Sequence, residues 1–164
     1  MDILSYHVFQ RLISILCFIM ESSFMKKVIF MTKTEAVIRS IIGAVGMDIR
    51  PLACSVDIAI DLMFVQGVPM DDILVTEDIY PEVAKLVKNR KGKIPSFRAI
   101  SKRIQRLANL CWDTLVAKDL VLEYLGAPLP DIRAPRDVIF YLAFYVRLDT
   151  PFFAAVQQQP AFLF

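Results

Sequence analysis

Apolar residues in this chain recur at steps of three and four, and no segment alternates with period two for long. That rhythm builds stripes along helices and leaves no half-buried strand, so it predicts an all-α fold. The clearest instance is KIPSFRAISKRIQRLANLCW, residues 93–112. Ile100, Ile104, Leu107 and Cys111 fall on one face, while Arg98, Ser101 or Lys102, Gln105 and Asn109 fall on another. Pro95 and Ser96 mark the start, with the serine placed to cap free amide groups. The expected helix runs over about 96–112 and closes at Trp112.

Similar punctuation continues along the chain. TKTEAVIRSIIGAVGM opens with a Thr32-x-x-Glu35 capping pattern and carries Val37, Ile38, Ile41 and Val45 toward a stop near Gly46. SVDIAIDLMFVQG places Val56, Ile60, Met63 and Phe64 on one face and ends at Gly67. PMDDILVTEDIYPEVAKLV reads as a short turn, a break and a helix starting between Glu77 and Tyr80, with Pro81 tolerated in its first turn. DTLVAKDLVLEYLG predicts a separate short helix closing at Gly126. APLPDIRAP is a loop, and RDVIFYLAFYVRL is apolar enough to be buried on most sides. The result is a compact bundle of about six helices between Thr32 and Leu148.

Three regions are expected: an apolar extension over 1–30, a helical domain over 31–150, and an apolar tail over 151–164. The extension lacks the basic start and cleavage site of a signal peptide, and Arg11 and Glu21 bracket only nine uncharged residues where a span needs about 20. It is an extension outside the functional protein, with translation starting at Met25 or Met31, or a packing helix, or a membrane-surface segment. In the tail, Pro151 and Pro160 break the pattern and the phenylalanines have no periodic seat. Phe152, Phe153, Phe162 and Phe164 fit partner binding if exposed, or ordinary packing beside the last helix.

Charge is unevenly divided. The net charge is only +2, yet Glu82 to Lys118 holds ten Lys or Arg against two acids, leaving nine basic and fifteen acidic residues elsewhere. Catalytic arrangements find little material. The one histidine, His7, lies in the extension, and no metal-ligand spacing occurs. Asp71 and Asp72 read as helix-start charges or solvated loop residues rather than general acids. Cys17, Cys54 and Cys111 form neither a CxxC pair nor a disulfide framework, which suggests a reducing cytoplasm. A non-enzymatic protein without cofactor or metal is expected.

A basic helix with a capped start suits DNA. Helix-start amides favour phosphate, Lys and Arg displace counterions, and Lys, Arg, Gln and Asn can bond base edges in the major groove. The bland alternative is a surface helix whose lysines serve solubility.

IYPEVAKLV, a linker, ISKRIQRLANLCW, YLGAP and PRDVIFYLAFYVRL, taken in this order over roughly 41–148, resemble the C-terminal DNA-binding domain of the sporulation initiation factor, stage zero sporulation protein A. The resemblance implies a six-helix fold whose third and fourth helices form a helix-turn-helix. It also implies that the fourth helix enters the major groove and that the last helix pairs domains on tandem sites. Lys102 matches a basic base-contacting position and Arg106 a phosphate-contacting one. Ser101 and Gln105 stand where family members carry charged base readers, so the recognised sequence is expected to differ. The linker from Lys88 to Pro95 is longer than the usual turn, making NRKGK a basic loop beside the backbone or a disruption of the turn. The family's regulator carries an N-terminal phosphoacceptor domain for which this sequence has no room, so the resemblance does not carry control by phosphorylation over to it.

The leading expectation is therefore a cytoplasmic transcription regulator that binds double-stranded DNA. Arg98, Ser101, Lys102 and Gln105 would face bases, while Arg106, Lys91, Lys93 and the Ser96 helix start would hold phosphates. A second expectation is a non-catalytic interaction protein that pairs through residues 138–148 with a full-length regulator, as a heterodimer, or with itself as a homodimer. A membrane-surface role using both apolar ends is a third and weaker reading.

Overall fold

In a computed structural model, residues 31–43, 46–88, 92–132 and 135–158 are described. The chain divides after Met31, and the unit beginning at Thr32 is considered by itself. The extension over 1–30, with His7 and Cys17, lies outside the described residues, as do Val45, Lys91, Phe162 and Phe164.

Seven α-helices and no strand occur among the described residues. Helix α1 (Lys33–Ile42) starts at the expected capping box: Glu35 donates its amide to Thr32 Oγ1 at 3.1 Å, and Thr32 donates its own to Glu35 Oε2 at 3.2 Å. It stops at Gly43, with φ +82°, earlier than the expected Gly46. Helix α2 (Arg50–Ile60) begins before the expected serine, because Pro51 occupies a first-turn position where no amide is needed. It continues as a π-helical turn over Asp61–Val65. A 3-10 turn (Met70–Asp72) and a second π-helical turn (Val75–Ile79) lead into α3 (Tyr80–Leu86), with Pro81 in the first turn as expected.

Helix α4 (Phe97–Ala117) extends five residues beyond Trp112. Thr114 donates its hydroxyl to Leu110 O at 2.6 Å, and Leu115 is buried one step of four beyond Cys111. The real end is a Schellman motif. Leu120 donates to Leu115 O at 2.8 Å and Asp119 to Val116 O at 3.2 Å, with Asp119 at φ +56°. DTLVA therefore belongs to the long helix, and only α5 (Val121–Leu125) closes at Gly126. Glycine is demanded there twice over: φ is +85°, and a Cβ would sit 3.0 Å from Pro151 Cβ.

Helix α6 (Arg136–Leu148) runs through the core, with Ile139, Phe140, Ala143 and Phe144 almost completely buried. It packs on α2, and α1 and α4 add further walls. Within the tail, Phe152–Gln158 form helix α7, which meets α6 at a 67° bend. Pro151 initiates rather than breaks it, its carbonyl accepting from Ala155 at 2.9 Å. Phe152 is buried edge-on to Phe144, ring centroids 5.0 Å apart, and lies 4.8 Å from the Tyr141 ring. Phe144 in turn meets Phe64 at 5.3 Å. Among the described residues no single helix is long and apolar enough to cross a membrane.

Candidate nucleic-acid interface

Helix α4 separates two chemistries by rotation about its axis. Ile100, Ile104, Leu107, Ala108, Cys111 and Leu115 are buried. Arg98, Lys102, Gln105, Arg106 and Asn109 are exposed, and Ser101 is half-buried. No acidic side chain occurs between Lys93 and Trp112. The face is thus continuous, basic and rich in hydrogen-bond donors over the first three turns.

Ser96 performs the capping role, its Oγ accepting from the Ala99 amide at 3.3 Å. Arg98, Lys102 and Arg106 form no ion pair among the described residues. Lys93 is exposed just ahead of the helix, whereas Lys91 falls outside the described residues. On α3, Lys85 pairs with Glu82 at 2.6 Å, and Lys88 is exposed beyond the helix end. Two exposed apolar residues, Ile94 and Phe97, stand at the same end of α4, and Phe97 lies 6.1 Å from the Tyr80 ring.

One basic residue of this helix has a structural task. Arg103 reaches across to Asp48 at 2.6 Å, and Asp48 also accepts from Arg50 Nε at 2.8 Å. Asp48 thereby fastens the loop between α1 and α2 to the middle of α4, leaving Arg106 on the rim of a groove of about 480 Å³ with Met47, Leu107 and Leu110. Periodicity alone gives no sign of this clamp, because Asp48 is remote in sequence.

The Arg50 hydrogen bonds, reinforced by Arg103, hold the Asp48 carboxyl at about 2, below its ordinary 3.8. A depressed carboxyl contributes stability that is complete above its unfolded pKa and disappears as pH falls through the folded one. Asp48→Asn should therefore lower stability at neutral pH by about 1 kcal/mol, an amount limited by solvent screening of this half-exposed cluster. In urea titrations at a series of pH values, the gap between the two proteins should close between about pH 4 and pH 2. A gap that stays constant across that window would remove Asp48 as its source.

Trp112 is half-buried against the core, beside Leu115, Tyr124 and Leu142. Burial pushes the Cys111 thiol up to about 12, so it is protonated at neutral pH. Asp71 does not start a helix alone; it also pairs with Arg136 at 3.3 Å, joining the 3-10 turn to α6. No metal-binding group of His, Cys, Asp and Glu occurs among the described residues. Residues 138–148, expected as a pairing surface, are mainly interior: Val138, Ile139, Phe140, Leu142, Ala143, Phe144 and Val146 are buried in the chain's own core.

No protein-family model matches the chain, and neither a curated protein nor a solved structure matches it at a significant level.

Proposed function

We propose that this chain binds double-stranded DNA as a transcription regulator, with α3, the linker and α4 acting as a helix-turn-helix and α4 lying in the major groove. The observation that supports this reading is the exposed basic face of α4, whose own residues include no acid before Trp112, and where Arg98, Lys102, Gln105 and Arg106 project from a helix that starts at a serine cap. Lys102 and Gln105, with Arg98 and Ser101, read base edges; Arg106, Lys91, Lys93 and the Ser96 helix start hold phosphates. The resemblance to the sporulation initiation factor's effector domain points the same way, with Ser101 and Gln105 giving this chain its own base preference.

Selection from random duplexes should enrich one sequence. Affinity for it should fall about 10²-fold between ~50 and ~200 mM salt if about four phosphates are neutralised. Lys102→Ala with Gln105→Ala should weaken binding to that sequence about 10- to 100-fold, while non-specific binding falls much less. Equal losses on all sequences would reduce the role to charge alone, and no enrichment at low salt would overturn the reading.

A further inference from the structure

Elsewhere on the domain, α2, the two π-helical turns and α3 line a groove of about 510 Å³. Its floor is apolar, made by Ile58, Leu62 and Leu86, and Leu86 is left 64% exposed. Its rim is acidic, with Asp61, Asp78 and Glu82. These carboxylates are held in place by local partners: Asp61 accepts from Gln66 Nε2 at 2.7 Å, Asp78 from the Leu74 amide at 2.7 Å, and Glu82 from Lys85 Nζ at 2.6 Å. Only Lys85 among those partners is charged, so the rim keeps a net negative charge.

The start of α4 has the matching character. Arg98 and Lys102 are exposed without an ion pair among the described residues, and beside them Ile94 and Phe97 are 64% and 48% exposed. One surface is apolar with an acidic rim and the other is apolar with basic neighbours.

We infer that the groove of one copy receives the α4 start of a second copy, Ile94 and Phe97 lying on Leu62 and Leu86 while Arg98 and Lys102 meet Asp61 and Glu82. Opposed charges steer and orient such an encounter, and the apolar floor supplies the water exclusion that charges alone lack. The pairing needs no DNA, so it stands or falls separately from the proposed function. Because it covers the face that would meet DNA, duplex and second copy compete for the same helix.

The full chain, free of DNA, should be followed by sedimentation velocity across a concentration series at about 50 and about 500 mM salt, where screening shortens from over 10 Å to under 5 Å. Association should be evident at low salt and at least tenfold weaker at high salt. Asp61→Lys with Glu82→Lys should give a monomer at low salt, and so should Arg98→Glu with Lys102→Glu. All four positions are exposed, and far-ultraviolet melts check that each variant is folded. An equimolar mixture of the two variants should associate again, because each reversed surface then meets its complement. A wild-type chain that stays monomeric at low salt, association indifferent to both reversals, or a mixture that stays monomeric would each overturn the inference.

Discussion

Phe144→Ala should destabilise the domain by about 3–5 kcal/mol, measured as a fall in denaturant midpoint with little change in slope. Phe144 has no exposure and meets aromatic rings from two directions, Phe64 at 5.3 Å and Phe152 at 5.0 Å. Alanine removes the ring's transfer free energy and also leaves a hole that rigid neighbours can close only in part. Phe64 belongs to the π-helical turn after α2 and Phe152 to α7, so the loss is felt where three segments meet. A cost under about 1 kcal/mol, the level of an ordinary surface change, would mean that this aromatic cluster does not organise the core.

A charge reversal on α4 should have a comparable effect on binding and almost none on folding. Arg98→Glu, Lys102→Glu and Arg106→Glu together replace three cations with three anions on residues that are exposed. Loss of three phosphate or base contacts, with repulsion added, should reduce affinity for duplex DNA by at least about 10³ at ~150 mM salt. Stability should move by no more than about 0.5 kcal/mol per site, since none of the three forms an ion pair among the described residues. The contrast carries the diagnostic value: retention of binding within about threefold would place the DNA contact elsewhere or nowhere. Arg103 is excluded from the set because reversing it would also release Asp48.

Much of the helical architecture was readable from spacing and caps. Thr32 with Glu35, Ser96, Pro81 and Gly126 all act where their chemistry predicts, and the stripe from Ile100 to Cys111 is buried throughout. The misplaced boundaries have physical causes. Helix α4 ends on Asp119, an aspartate holding the left-handed conformation that glycine usually supplies, so its terminus carries no obvious mark in the sequence. Pro51 and Pro151 stand at helix starts, where proline loses no hydrogen bond, so a proline that looks like an interruption in the sequence is here an opening. In the candidate interface, periodicity identifies which side of α4 faces outward. It is silent about Arg103, because its partner is 55 residues away, and about the acidic groove, whose residues are scattered over α2, the two π-helical turns and α3.

The long-range bonds of α1 carry a consequence for the order of folding. Its Lys33 pairs with Asp149, its Ser40 hydroxyl lies 3.0 Å from the Tyr124 hydroxyl, and the Ile41 carbonyl accepts from Lys118. Each partner is made 77 to 116 residues later. During synthesis α1 therefore emerges from the ribosome well before these groups exist, and until then its partners within this unit are α2 and, once made, α4. Closure of the bundle must wait for α6, so a nascent chain stalled before Arg136 would leave the side of α1 that α6 covers open to whatever chaperone stands at the tunnel exit.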